Sequence, residues 1–147
     1  MKLVIAGRHG TYGSQSLTDH GRVEAATLGK EISSRVSGVG SVALVSSPLV
    51  RATETAAIIG LALGIGHREC EILRRDLYFY GNDQMEAILE LVAGFDVVVA
   101  VTHHEAPSGI INAFRQKHFG KKFQMREIQK GSGLVLCLDT GEISEIP

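Results

Sequence analysis

The sequence has few cysteines, almost no net charge and no long apolar segment, and each shortage argues against a class of protein. The formal net charge is −1, and Lys121-Lys122 is a short basic run, so neither nucleic acid nor an anionic membrane surface is indicated as a partner. Cys70 and Cys137 have no Cys-x-x-Cys spacing, which favours free thiols in a reducing compartment.

The first apolar run, residues 3–6, is too short for a signal peptide or a membrane span, so a soluble cytoplasmic protein is expected. What the chain does have is enough apolar material for a core. Hydrophobic residues make up 44% of its 147 positions, which argues against disorder and suits a single domain over residues 1–147.

Short apolar runs that alternate with helical patterns predict an α/β architecture. Strands are predicted at 2–6, 42–45 and 96–102, with a short one within 67–73. The 96–102 run is nearly all β-branched and is expected at the centre of the sheet. Leu134–Leu138 and the stretch from Ile143 to Ile146 flank a turn and predict a hairpin. The expected fold class is a three-layer α/β/α domain with a central, mostly parallel sheet and a C-terminal antiparallel hairpin.

Helical patterns fill the segments between these strands. The first helix is expected after Thr18, a candidate N-cap. Its apolar face at helical spacing consists of Gly21, Ala25, Leu28, Ile32 and Val36. The second is expected to have Ser47 as N-cap and Pro48 in its first position. The third spans about 84–92 after a loop, and the fourth starts at Pro107.

Reactive polar residues follow three of the strands directly. Arg8 and His9 follow the first strand, Ser46-Ser47-Pro48 follows the second with Arg51 shortly after, and His103-His104 follows the central strand. Because parallel strands bring their carboxyl ends to one edge of the sheet, these groups should converge. Arginines, histidines and a helix N-terminus form an anion pocket, in which a neutral histidine can act as a nucleophile. The pattern predicts phosphoryl transfer through a phosphohistidine.

These motifs and their order resemble the histidine phosphatase superfamily, the phosphoglycerate-mutase-like enzymes. Arg8-His9-Gly10 is similar to the family's Arg-His-Gly after the first strand, and residues 17–21 (LTDHG) to its Leu-Thr-x-x-Gly. Residues 46–56 (SSPLVRATETA) are similar to Ser-Ser-Pro-x-x-Arg-Ala-x-x-Thr-Ala. Val101-Thr102-His103 is similar to the strand that ends in the second catalytic histidine. The resemblance runs from residue 3 to about 138.

The resemblance implies a role for each matched residue. His9 would be the nucleophile that becomes phosphorylated. Arg8, Arg51 and His103 would hold the phosphoryl oxygens and stabilise charge in the transition state. Nearby arginines disfavour the imidazolium and so keep His9 neutral near pH 7. Its ordinary pKa is about 6.5, so only a small shift is needed.

The loop after the Arg-His-Gly motif departs from the family pattern. Many members have an Asn there that touches phosphate, and this loop, residues 11–16 (TYGSQS), has none. Thr11, Ser14 or Gln15 could donate to phosphate instead. The alternative is that the loop is simply solvated.

The segment after the third strand, where many members carry the general acid, also departs from the family pattern. Asp76 is the nearest match to that acid, and the alternative is a plain surface carboxylate. His104 and Glu105 are the other groups close enough in sequence to the pocket to serve. A leaving group of low pKa, such as the imidazole of a phosphohistidine, would need less help from an acid.

The chain is short and leaves little room for the cap segments that cover the site in larger members. Its size and the Leu77-Tyr78 step resemble the branch that dephosphorylates phosphohistidines of phosphorelay proteins. The resemblance therefore implies a phosphatase whose substrate is a phosphohistidine protein or a small phosphomonoester. A mutase and a non-catalytic phosphate- or phosphoprotein-binding module are the alternatives. The oligomeric state is left open.

Neither a metal nor another cofactor is expected from the sequence. His103-His104 is the feature that could indicate a metal site. Adjacent residues on a strand point to opposite faces, so these two side chains would chelate one ion poorly. The phosphohistidine interpretation is favoured over metal catalysis for this reason.

Overall fold

The computed structural model describes residues 1–74 and 81–147, and within these ranges a six-stranded sheet lies between two pairs of helices. The strands are β1 (Leu3–Arg8), β2 (Val42–Ser46), β3 (Arg68–Glu69), β4 (Val97–Thr102), β5 (Gly133–Cys137) and β6 (Ile143–Ile146). The helices are α1 (Asp19–Val36), α2 (Val50–Leu63), α3 (Gly81–Leu91) and α4 (Ala106–Phe119), and a 3₁₀ turn covers Glu71–Arg74. The predicted three-layer α/β/α class is confirmed.

The sheet has the strand order β3-β2-β4-β1-β5-β6, and its first four strands are parallel. β5 runs antiparallel to β1, and β6 runs antiparallel to β5, as the hairpin prediction requires. β4 lies between β1 and β2 and is buried along its whole length, which confirms its central place. The carboxyl ends of β1, β2 and β4 therefore meet at one edge, where open α/β sheets bind ligands.

Each face of the sheet packs against one pair of helices. The core between the sheet and helices α1 and α2 includes Leu28, Ile59 and Val99. The core on the other face, under α3 and α4, includes Ile88 and Phe114. The β4 side chains alternate between these two cores, which explains why the strand is apolar at nearly every position.

The start of α1 packs tightly against the loop that follows β1. Thr18 caps the helix as predicted, because its Oγ1 accepts the N–H of Gly21 at 3.0 Å. A Cβ on Gly21 would collide with the carbonyl oxygen of Thr11, and one on Gly10 would lie 2.5 Å from the Gly21 carbonyl oxygen. All members of the predicted apolar face are buried. The loop is thus held directly against the helix, which fixes its path past the end of β1.

The predicted cap of α2 is wrong. The helix begins at Val50, with Leu49 in the cap position and no side-chain cap bond. The Ser47 hydroxyl lies 2.7 Å from a ring nitrogen of His103 instead. The same hydroxyl accepts the Leu49 N–H at 3.3 Å, so it serves the turn before the helix as well as the site.

Other element boundaries also differ from the prediction. β1 continues to Arg8, because Arg8 pairs with Thr102 of β4. The strand expected within 67–73 is reduced to Arg68–Glu69 and the 3₁₀ turn that follows. α3 begins at Gly81, earlier than the predicted start near 84. Of the helices within the two described ranges, none has the length and apolar character that crossing a bilayer requires.

Candidate active site

The register of the sheet places the predicted site residues side by side. Arg8 is opposite Thr102 at the end of β4, and the His9 N–H bonds to the Thr102 carbonyl at 3.1 Å. The Ser47 N–H bonds to the Val101 carbonyl at 2.9 Å. Three chain segments therefore leave the sheet at the same edge, each with a polar side chain, and the predicted convergence is present.

His9 is buried and both of its ring nitrogens have partners. Nδ1 lies 2.8 Å from the carbonyl oxygen of Gly10, and Nε2 lies 3.3 Å from Nε of Arg51. A carbonyl can only accept, so the ring proton is assigned to Nδ1 and the lone pair to Nε2. The hydroxyl of Thr55 links the two partners, since it accepts from the Gly10 N–H at 3.1 Å and donates to the Arg51 carbonyl at 2.8 Å.

His103 lies next to this ring. The two imidazole centroids are 5.1 Å apart, and Nε2 of His103 lies 2.7 Å from the Ser47 hydroxyl. Nδ1 of His103 is buried and has no hydrogen-bond partner among the residues the structure describes. A buried polar atom without a partner is costly, so this nitrogen is available for a ligand.

Both histidines are neutral near pH 7. Burial, together with the positive charges of Arg51 and Arg8, lowers the pKa of His9 to about 4, although the Gly10 carbonyl opposes the shift. Burial and the neighbouring histidine and arginine charges lower the pKa of His103 to about 3. The predicted direction agrees for His9, but burial rather than the arginines is the larger cause.

Arg8 is also buried and is bound by a carboxylate that the sequence did not indicate. Its NH1 donates to Oε1 of Glu127 at 2.8 Å and to the carbonyl oxygen of Ile128 at 2.8 Å. Its NH2 lies 3.5 Å from Nδ1 of His104. Glu127 precedes β5 and lies 119 positions from Arg8 in the chain, so local sequence patterns gave no signal for it.

Tyr12 is a second residue that sequence analysis missed. Its ring meets the His9 ring edge-on, with centroids 5.3 Å apart. The guanidinium carbon of Arg51 lies 4.4 Å from the centre of the Tyr12 ring, and Nζ of Lys130 lies 5.6 Å from it. The aromatic ring therefore supports the arginine that contacts the candidate nucleophile. The signal available in the sequence was that Tyr12 is a lone aromatic residue in an otherwise polar loop.

Thr11 and Gln15 make no hydrogen bond to His9 within the described part of the chain. The Thr11 backbone N–H donates to Oε1 of Glu24 at 2.8 Å, and the Thr11 carbonyl oxygen accepts the Thr18 N–H at 3.0 Å. Gln15 is exposed in the loop. Asp76 lies outside the described residues, so its role stays a prediction.

His104 stands in an unusual backbone conformation beside the site. Its φ is 48°, in the left-handed region that non-glycine residues rarely adopt. Such conformations cost of order 1–3 kcal/mol and persist where the surroundings enforce them.

Across residues 1–74 and 81–147, no group of three or more His, Cys, Asp or Glu side chains is arranged to hold a metal ion.

Comparison with known families agrees with the motifs. Residues 5–76 match the sequence profile of the histidine phosphatase superfamily (branch 1). The matched stretch includes Arg8, His9 and Arg51 and ends before His103. The resemblance inferred from the sequence is confirmed. No curated protein matches the sequence.

Solved structures with the same fold include several proteins named as phosphatases. A SixA protein of Nakamurella multipartitia, named as a phosphohistidine phosphatase, has a TM-score of 0.70 and 18% identity over 99% of this chain and 94% of its own. A second SixA protein, from Agrobacterium tumefaciens, has a TM-score of 0.63 and 17% identity over 99% and 96%. A mycobacterial glucosyl-3-phosphoglycerate phosphatase has a TM-score of 0.66 and 15% identity over 98% and 96%. At these identities the likeness shows the shared fold.

Proposed function

Because residues 5–76 carry the histidine phosphatase signature, we propose that the protein is a phosphatase that acts through a phosphohistidine formed on His9. The observation that carries the proposal is the 2.8 Å hydrogen bond between Nδ1 of His9 and the Gly10 carbonyl. It leaves the lone pair on Nε2, the atom that lies 3.3 Å from Nε of Arg51. The family match and the neighbours named as phosphatases support this class of enzyme.

In the first step Nε2 of His9 attacks phosphorus. A P–N bond forms, and the bond from phosphorus to the leaving group breaks. The leaving group departs with the bonding electrons and takes up a proton. Nδ1–H stays on the Gly10 carbonyl, which stabilises the positive ring of the phosphohistidine and prevents the imidazole from turning.

The charge of the transition state falls on three equatorial phosphoryl oxygens, and the site offers donors for them. Arg8 Nε and His103 Nδ1 are both buried, and neither has a hydrogen-bond partner in the described part of the chain. A bound phosphoryl group would satisfy both atoms. If the Ser47 hydroxyl donates to Nε2 of His103, then Nδ1 carries the proton and can donate to the phosphoryl group. Arg51 would add a third donor.

In the second step water attacks phosphorus and the P–N bond breaks. Neutral His9 is regenerated, and inorganic phosphate leaves with the oxygen of that water. Asp76 remains the proposed acid for the leaving group in the first step and the base for water in the second. Thr11 and Gln15 remain proposed phosphate donors on the strength of the sequence alone.

The proposed substrate is a phosphohistidine protein or a small phosphomonoester. The two SixA neighbours are named as phosphohistidine phosphatases, which supports the first class. An imidazole leaves phosphorus readily, so a phosphohistidine would place little demand on a general acid. The mycobacterial neighbour is named as a phosphatase of a sugar phosphoglycerate, which supports the second class.

The test is turnover with chelator present. Purified protein is given p-nitrophenyl phosphate, and in parallel a phosphohistidine-bearing carrier protein, with excess EDTA. Release of inorganic phosphate from either substrate is expected. Phosphate binding without turnover would indicate a binding module instead. Transfer of phosphate to an added alcohol acceptor in preference to water would indicate a mutase.

A further inference from the structure

The carboxylate of Glu127 fixes one end of the Arg8 guanidinium. NH1 of Arg8 donates to Glu127 Oε1 and to the Ile128 carbonyl oxygen, each at 2.8 Å. These two bonds use both N–H groups of NH1. The Arg8 side chain is 8% exposed and that of Glu127 is 49% exposed. A buried cation is therefore held by a carboxylate that water can reach.

The remaining donors of Arg8 form a single edge of the guanidinium. Nε is buried without a hydrogen-bond partner in the described residues, and NH2 lies 3.5 Å from Nδ1 of His104. Nε and NH2 are adjacent on the planar fork, the arrangement that binds two oxygens of one phosphate. The bonds to Glu127 and Ile128 thus determine which edge of Arg8 is left for a ligand.

The loop that carries this carboxylate is anchored at both ends. The Gly131 N–H lies 3.1 Å from the carbonyl oxygen of Arg8 and 3.0 Å from that of His9. At the other end, the backbone carbonyl and N–H of Arg126 bond to the Ser108 hydroxyl of α4 at 2.8 and 3.0 Å. The position of this loop is therefore fixed relative to His9, the proposed nucleophile.

We propose that Glu127 is a positioning residue of the phosphatase reaction, which holds Arg8 by NH1 so that its Nε–NH2 edge meets the phosphoryl oxygens. The role rests on the proposed function. The same Oε1 lies 3.6 Å from Nδ1 of His104, so the carboxylate also restrains the residue that follows His103. The positive charge of Arg8 lowers the pKa of Glu127, which keeps the carboxylate ionised at neutral pH.

Two variants separate the effect of side-chain length from the effect of charge at Glu127. Glu127→Gln keeps an oxygen at the same distance but loses the charge, so it should retain kcat within about threefold. Glu127→Asp keeps the charge but withdraws the oxygen from NH1, so kcat should fall roughly 10- to 100-fold, as for other supporting residues. Inhibition by orthovanadate, which copies the trigonal transition state, should weaken by the same factor. Inhibition by inorganic phosphate should change less.

The matched control is Glu145→Ala. This variant removes the exposed 2.8 Å ion pair between Glu145 of β6 and Arg126, which lies in the same loop as Glu127. It leaves the hydrogen bonds of Arg8 in place. Its kcat should equal that of wild type, and thermal melts check that all variants fold. The proposal is overturned if Glu127→Asp is active while Glu127→Gln is not, if both match wild type, or if the control reproduces the loss.

Failure of the positioning role can be told apart from failure of the proposed function. A wild-type protein that does not turn over either substrate refutes the function. Binding of orthovanadate and phosphate, measured by calorimetry on the same variants, still reports on Arg8. A vanadate affinity that is equal in wild type and Glu127→Asp would then refute the role of Glu127 by itself.

Discussion

Nε of Arg51 lies 3.3 Å from Nε2 of His9, so the cation proposed to stabilise the phosphoryl group holds the proposed attacking atom. The Gly10 carbonyl holds the other ring nitrogen at 2.8 Å. In the proposed reaction, a phosphoryl oxygen would have to take over the Arg51 donor before Nε2 could attack. Arg51 would then exchange a histidine partner for a phosphoryl oxygen.

Arg51→Ala should weaken both phosphate binding and the rate, because it removes a cation from a partly buried pocket. Loss of such a charge-assisted contact costs roughly 2–5 kcal/mol. The readouts are kcat/KM and the phosphate affinity measured by calorimetry. Arg22→Ala, which removes an exposed arginine of α1, is the control and should leave both unchanged. An Arg51→Ala enzyme with wild-type kinetics would show that Arg51 does not act on the substrate.

Tyr12→Ala should lower kcat/KM, since the Tyr12 ring lies against the Arg51 guanidinium at 4.4 Å. A cation–π contact of this kind is worth about 0.5–2 kcal/mol. Tyr12→Phe keeps the ring and should stay close to wild type. Equal losses in the two variants would instead assign the effect to the Tyr12 hydroxyl.

The free energy of unfolding should fall as the pH drops below about 6.5. In the folded protein His9 has a pKa of about 4 and His103 a pKa of about 3, whereas unfolded histidines titrate near 6.5. Between those values the unfolded chain binds more protons, so acid favours unfolding, and above 6.5 these two groups add no pH dependence. Urea titrations at pH 7.5 and 5.0 measure the difference.

The matched variants for this pH effect are His9→Gln and His67→Gln. Removal of the buried histidine should reduce the stability difference between pH 7.5 and 5.0, and removal of a histidine outside the site should not. If His9→Gln left the difference unchanged, the imidazole would be free to take up a proton in the folded state. Nitrogen-detected NMR at pH 6 gives an independent check, since His9 should show the neutral Nδ1–H tautomer.

Asp76→Asn should slow alkyl phosphates far more than aryl phosphates if Asp76 protonates the leaving group. An alkoxide leaves badly without a proton, whereas a nitrophenolate leaves unaided. The ratio of the two rate losses is the measurement, and phosphohistidine should behave like the aryl substrate. Equal losses would indicate a structural role. No loss on either would make Asp76 a surface carboxylate and leave His104 and Glu105 as the candidates for the acid.

The sequence predicts well those features that depend on local pattern. The apolar spacing from Gly21 to Val36 and the cap at Thr18 are confirmed, because helix periodicity and capping are set by neighbours in the chain. The convergence of Arg8, His9 and His103 is likewise foreseeable, since residues after parallel strands share one sheet edge. Local sequence pattern does not predict which hydrogen-bond partner each side chain has at that sheet edge.

The missed residues are those that reach the site from far along the chain or that change role in the fold. Ser47 suits a helix cap by sequence, but its hydroxyl contacts His103, which is 56 positions away. Glu127 stands in a stretch without strand or helix, and only folding brings it to Arg8. Such choices depend on tertiary packing, which overrides local preference.

A rapid acid-free quench of enzyme with ³²P-labelled substrate, followed by peptide mapping, decides whether His9 becomes phosphorylated. Wild type should carry label on the peptide that contains His9, stable to base and released by acid. His9→Ala should carry none and should not hydrolyse substrate, yet it should still bind orthovanadate through Arg8, Arg51 and His103. Label that persists on His9→Ala, or turnover by it, would show that His9 is not the nucleophile.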